Sequence, residues 1–207
     1  ITVFENLKVV LKQGNVHQVE VETGEYLLSD VSAVVEDNRL VLHNENSCNY
    51  VRDYGLTTVY VTSPDITEIR SSTGLLISSD GVLNYPNLTL LAESYSNPET
   101  ETTDGSFDLN LNSTTIRITV NGIAYFKLQG NTDNFNVNVA AGDSRIEAGE
   151  LDSENVTVNH RGSNDVFVNP QQRLGGVIRG TGNIISVTTP PEVDVEEFFT
   201  GRLIFED

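Results

Sequence analysis

The chain has no tryptophan, no methionine, one cysteine and only 12 lysines and arginines among 207 residues. Each shortage excludes something. The lone thiol, Cys48, can close no intramolecular disulfide and build no thiolate metal cage. Asp and Glu number 30, which leaves a formal charge of -18 and a pI near 4.3. A nucleic-acid binder replaces condensed counterions with its own cations, so it carries a basic patch. No Lys/Arg cluster occurs here, and the same balance argues against an anionic lipid surface as partner. The acid surplus reads as a solvated surface that attracts cations or basic partners. A membrane helix needs about 20 consecutive apolar residues, and the longest apolar runs here fall far short, so no membrane-spanning segment is expected. The missing initiator, and the absence of a charged and then apolar leader before Ile1, predict a processed chain from which a targeting segment has been removed.

Helical periodicity is almost absent too. Short runs of period two take its place, among them Leu7 to Leu11, Val16 to Val21, Thr58 to Val61, Leu88 to Leu91 and Phe107 to Leu111. They are rich in β-branched residues and separated by Gly, Asn and Asp, which suits pleated strands joined by tight turns.

A repeat organises the second half. Gly122, Gly142, Gly162 and Gly182 are spaced twenty residues apart. Before these glycines lie Ile116 to Val120, Phe135 to Val139, Val156 to Val158 and Val177-Ile178. After them lie Ala124 to Leu128, Arg145 to Ala148, Val166 to Val168 and Ile184 to Val187. Self-similarity at a fixed period of this length predicts a solenoid of paired-strand rungs. One rung cannot stand alone, because fixing each backbone residue costs about 1–2 kcal/mol. Its few inward side chains return only about 1.5–3 kcal/mol each. Neighbouring rungs must cover its open faces. Glycine at the corners is expected to supply the positive φ that sharp turns need.

The fold class is therefore all-β, a parallel β-helix (β-solenoid) of roughly twenty-residue rungs. Rungs are expected over residues 62–187, regular from Ile116 and looser back to Ile66. Tyr95 to Ser106, polar and acidic with Pro98, reads as a loop inserted into one rung. Residues 1–61 do not follow the period. They read as an antiparallel β meander capping one end, with Asp37-Asn38 turning a hairpin between Val34-Val35 and Leu40-Val41-Leu42. Residues 188–207, beginning near Pro190-Pro191, read as a capping segment at the other end.

The paired-strand rungs, the turn Gly162-Ser163-Asn164-Asp165-Val166 and the later Gly180-Thr181-Gly182-Asn183-Ile184 resemble the head GIN domain family of auto-transporter adhesins common in Bacteroidetes-type lipoproteins. Asn46-Ser47-Cys48-Asn49 followed by Val51-Arg52 is similar to that family's N-terminal half. The resemblance implies a right-handed parallel β-helix in an exported, often lipid-anchored protein of the periplasm or cell surface. It brings no catalytic residues and no cofactor. Its partners would be a glycan or a protein at the cell surface.

The outward residues of the rungs offer the only candidate site. A twenty-residue offset aligns Tyr125, Arg145 and Asp165 in one column and Lys127, Glu147 and Phe167 in the next. With rungs about 4.8 Å apart, Arg145 would reach Asp165 and Lys127 would reach Glu147. Such a face could bind sugar, the rings stacking and the charges hydrogen-bonding. The same residues also make an ordinary ladder of solvated ion pairs. Arg117 and Thr119, Asn136 and Asn138, Thr157 and Asn159 point outward on the other strands and read as a side-chain hydrogen-bond ladder.

No His/Cys/Asp/Glu spacing marks a transition-metal site, His17, His43 and His160 being far apart. Gly180-x-Gly182 opens no helix and so cradles no phosphate. Three readings follow: a non-enzymatic surface protein of adhesin type, a polysaccharide-cleaving β-helix enzyme, and a structural or signalling partner in the envelope. The enzyme requires a groove lined by at least two close carboxylates.

Overall fold

The computed structural model describes residues 1–4, 6–46, 57–95 and 102–206. Cys48, Val51-Arg52 and most of the segment between Tyr95 and Ser106 lie outside them. Period-two alternation places side chains on opposite faces of an extended chain, and the described residues accordingly form sixteen strands and no α-helix. The first half holds β1 (Thr2–Val3), β2 (Lys8–Gln13), β3 (Gln18–Glu22), β4 (Val31–Glu36), β5 (Arg39–Asn44), β6 (Thr58–Ser63), β7 (Glu68–Ser71), β8 (Leu76–Leu83) and β9 (Asn87–Ala92). Then come β10 (Gly105–Val120), β11 (Ala124–Val139), β12 (Arg145–His160), β13 (Val166–Ile178), β14 (Ile184–Ser186), β15 (Glu192–Glu197) and β16 (Leu203–Phe205).

The four strands β10 to β13 each run through a corner, so each has a first arm and a second arm. First arms pair with first arms, in the order β6-β2-β8-β10-β11-β12-β13-β14-β16. Second arms continue a separate run, β5-β1-β7-β9-β10-β11-β12-β13-β15. Every pair in these two runs is parallel. The whole is one open, mostly parallel sheet.

Register sets the core. Phe107 lies beside Phe126, and Ile116 beside Phe135, which lies beside Val156 and then Leu174. All of these side chains are buried and belong to one apolar cluster that takes in residues of both runs. The two phenylalanines stack at 4.7 Å between ring centroids. The step between rungs is not a constant twenty residues. Gly105 faces Ala124, Gln129 faces Glu150, and Asn155 faces Arg173. Irregularities between Lys127 and Gln129, and at two places in β12, absorb the differences at the corner.

The glycine column holds for a reason other than the expected one. Of Gly122, Gly142, Gly162 and Gly182, Gly142 alone has a positive φ, +87°. The others are required by space. A Cβ on Gly182 would lie 2.1 Å from the Asn164 carbonyl oxygen, and one on Gly162 would lie 2.7 Å from a Val139 methyl. The turns of successive rungs touch backbone to backbone, and a side chain has no room there.

Residues 1–61 depart from the expected antiparallel meander. The Asp37-Asn38 hairpin is present, with both residues at positive φ and β4 antiparallel to β5, as a two-residue turn matched to strand twist requires. β3 is antiparallel to β6. β1 and β2, however, pair in parallel on both sides and form a rung between β5/β6 and β7/β8. Alternation in Val9 and Leu11 marks a half-buried strand but not its direction, so this placement left no signature.

The buried side chains include an ion pair and a histidine. Arg70 and Glu93 form an ion pair of 2.8 Å, with side chains 6% and 1% exposed. His160 is fully buried beside Val139 and Ile178. Its Nδ1 accepts the Gly162 N–H at 3.4 Å, which leaves the proton on Nε2, an atom with no hydrogen-bond partner. Burial lowers the pKa of this imidazole, with the Asn164 backbone and the Asp165 carboxylate pulling weakly the other way.

Two outcomes are expected. Gly142→Ala should lower the urea unfolding free energy by more than about 1–2 kcal/mol, whereas Gly74→Ala, where nothing lies within 4 Å of the added methyl, should leave it nearly unchanged. Because folded His160 binds its proton more weakly than the unfolded residue, stability should fall as pH drops below the unfolded value near 6.5, by at most about 1.4 kcal/mol per pH unit. Urea titrations between neutral and mildly acid pH should show this slope in the native chain and a shallower one in His160→Leu.

Candidate functional site

The outward side chains of the first arms come from the alternation that builds the core. On β11, Ala124 and Phe126 turn inward, so Tyr125 and Lys127 turn out. On β12, Ile146 and Ala148 are buried, which leaves Arg145 and Glu147 on the outer face. Phe167 lies between buried Val166 and Val168 on β13, and Asp165 immediately precedes that strand. Tyr125 stands beside Arg145, Lys127 beside Glu147, and Glu147 beside Phe167. The structure therefore gathers all six sequence-selected residues onto one face.

Their contacts differ from the expected ladder. Arg145 pairs with Glu147, two residues along its own strand. Its guanidinium lies 4.7 Å from the centre of the Phe167 ring, and Nη1 donates to Asn164 Oδ1 at 3.3 Å. Asp165 turns to the next rung instead, accepting the Asn183 backbone N–H at 2.9 Å and its Nδ2–H at 3.0 Å. Lys127 approaches Asp108 of the preceding rung, at 3.8 Å, and both are substantially exposed. Glu147 is held by Arg145 and Asp165 by Asn183, so the cross-rung pairs Lys127–Glu147 and Arg145–Asp165 do not form.

The result is an open face bearing an exposed tyrosine ring (41%), a second ring with a cation over it, and carboxylates. Rings offer stacking surfaces, and paired charges offer directional hydrogen bonds.

The second arms carry a polar ladder. Arg117, Asn136 and Thr157 form one column, and Thr119, Asn138 and Asn159 the next. Within it Asn159 Nδ2 donates to Asn138 Oδ1 at 2.9 Å.

Two concavities escaped the sequence reading. At the corner between the arms, a shallow groove of about 360 Å³ is lined by Ser113, Asn131, Asp133, Asp152, Glu154 and Gln171. Its three carboxylates are all exposed, Asp152 accepts a hydrogen bond from Asn169 at 2.7 Å, and no basic side chain lines it. At the N-terminal end, a larger crevice of about 770 Å³ opens between β3/β6 and β4/β5, over Val19, Val35, Leu40, Val61 and Ile66. The first depends on register shifts and the second on the interposed rung, and neither can be read from spacing. Among the described residues no group of three or more His, Cys, Asp or Glu is arranged to hold a metal ion. Among the same residues no helix is long and apolar enough to cross a membrane.

A two-armed, mostly parallel stack with a flat, mixed outer face defines an all-β scaffold of the kind that presents a surface. Within that class the chain belongs to the family described as "putative auto-transporter adhesin, head GIN domain", whose profile matches residues 1–190. None of the curated proteins matches it. Among solved structures, a "putative adhesin" from Bacteroides fragilis is similar over 99% of this chain and 91% of its own, with a TM-score of 0.82 at 18% identity. A "putative adhesin" from Parabacteroides merdae is similar over 100% and 90%, with a TM-score of 0.63 at 17% identity. A "putative lipid binding protein" from Parabacteroides distasonis is similar over 100% and 92%, with a TM-score of 0.63 at 15% identity. At these identities the likeness is one of fold.

The geometry separates two neighbouring acid–base groups. Arg145→Ala removes a half-exposed pair and should change stability by no more than about 1 kcal/mol. Asp165→Ala leaves both Asn183 donors without their acceptor and should cost about 1–3 kcal/mol. Thermal unfolding of the two variants side by side checks the order.

Proposed function

We propose that this is a non-enzymatic, exported protein of the cell envelope whose stack winds as a right-handed parallel β-helix. Its task is adhesion through the outer face of the first arms. A glycan or a cell-surface protein is the partner, and a lipid anchor upstream of Ile1 holds the protein at the surface. The observation that carries this reading is the gathering of Tyr125, Lys127, Arg145, Glu147, Asp165 and Phe167 on one accessible face. Family membership supports it, as do the names of two solved relatives.

The face suits stacking. Tyr125 is free to lie against the apolar side of a sugar ring, a contact worth about 0.5–1.5 kcal/mol beyond area burial. Arg145, one rung away, and Phe167, two rungs away, form a second platform. The enzyme reading has only the corner groove to draw on. Asp133, Asp152 and Glu154 there are all exposed, and no basic side chain lines the groove beside them.

The test is binding of the folded protein to a glycan array and to immobilised host-matrix proteins, with Tyr125→Ala/Phe167→Ala as the comparison. At least about a tenfold loss of binding is expected in the double variant, at an unchanged melting temperature. Equal binding by both proteins would sink the assignment to this face. Incubation with acidic polysaccharides is expected to yield no new reducing or unsaturated ends.

A further inference from the structure

The last described rung, β15 and β16, is built like its predecessors, but no strand among the described residues covers it. Its inward positions are set by register: Val193 lies over Leu174, Val195 over Gly176, Leu203 over Ile184 and Phe205 over Ser186. Leu174 and Ile184 are completely buried. Val193, one rung later, is 44% exposed and Phe205 36%. β15 pairs only with β13, and β16 only with β14. Among the described residues their outer edges therefore present backbone N–H and C=O groups with no strand to receive them. An edge of this kind is a template for another strand.

Charge says which strand. The outward positions of β15 are Glu192, Asp194 and Glu196, and the register with β13 shows what they attract. Arg173, directly beside Glu192, pairs with it at 3.0 Å and with Asp194 at 3.6 Å. Glu196 has no ion-pair partner among the described residues. An added strand that continued this pattern would carry Lys or Arg outward, beside the acids, and Val, Ile or Leu inward, over Val193 and Val195.

A second copy of this chain fits poorly. Two β15 edges would set carboxylate against carboxylate. The strands at the opposite end, β3 and β4, contain no Lys or Arg, and each copy carries a net charge of -18.

We propose that this end of the stack is a docking edge for one strand of a basic partner protein, an extended segment that alternates apolar and cationic side chains and pairs in parallel along β15. Parallel pairing is specified because every strand pair from β9 to β16 is parallel. Backbone bonds would supply the attachment, and alternation its selectivity.

The probe is a fluorescent, end-blocked hexapeptide, Lys-Val-Lys-Val-Lys-Val, titrated against the whole protein by anisotropy. Its controls are a block isomer, Lys-Lys-Lys-Val-Val-Val, and the acidic analogue Glu-Val-Glu-Val-Glu-Val. The alternating basic peptide is expected to bind at least about tenfold more tightly than either control. Asp194→Lys/Glu196→Lys and Val193→Glu should each remove that margin, while Tyr125→Ala, on the outer face, should keep it. Hydrogen exchange on the unaltered protein should show peptide-dependent protection within residues 192–197, which decides the matter even if a variant fails to fold. Equal binding of the block isomer would reduce the effect to bulk charge and overturn the proposal. So would protection that maps elsewhere. Concentration-dependent dimers that Val193→Glu dissolves would assign the edge to a second copy and overturn it equally.

Discussion

Each rung can bury its inward side chains only against the rung before and the rung after. Everything else in the fold follows from that dependence. Phe126 has no partner of its own within residues 124–139 that would shield it; it is covered by Phe107 on one side and Ile146 on the other. The parallel backbone bonds fix the distance at which this covering happens. They also force the corners of successive rungs into contact, and glycine collects where the backbones meet. The same regularity pushes every second side chain outward, so an ordered outer face comes with the core at no further conformational cost.

Inside this frame the polar exceptions are mostly hydroxyls. Ser144 and Ser153 turn inward but bond back to nearby carbonyls, of Gly122 at 2.9 Å and Leu151 at 3.1 Å. Local bonds of this kind let a hydroxyl sit in an apolar interior. His160 is different, since one of its nitrogens has no such bond, and its neutrality is what the interior tolerates. The buried Arg70–Glu93 pair joins β7 to the turn after β9, where the regular rungs begin. Removing one partner there would strand a charge in the core.

Much of the stack was legible in the sequence because it is written in spacing. The twenty-residue glycine column, the alternation around Phe135 and Val156, and the Asp37-Asn38 hairpin all appear where those patterns place them. The register was readable within a rung or two, which is why Tyr125 does stand beside Arg145. Contacts between charged ends were not. Arg145 had a choice between Asp165 across the rung and Glu147 along its strand, and long side chains decide such choices by local geometry. The direction of β1 and β2 was not readable either, since a strand of two to six residues looks the same parallel or antiparallel. Lastly, the corner groove depends on bulges that shift register by one or a few residues, beneath the resolution of any periodic argument.

The placement of β1 and β2 carries a consequence for assembly. Val9 is bonded beside Ile77 on one side and Val59 on the other, so the surroundings of β2 are completed only by strands about fifty to seventy residues further along. A stack built in sequence order could grow rung upon rung as the chain appears. Here the opening segment must wait, unsheltered, until residues well past Ser63 exist to enclose it, and loop closure over that distance slows the step. The N-terminal stretch is in this sense a keystone, held not by its neighbours in sequence but by the strands that close on both sides of it.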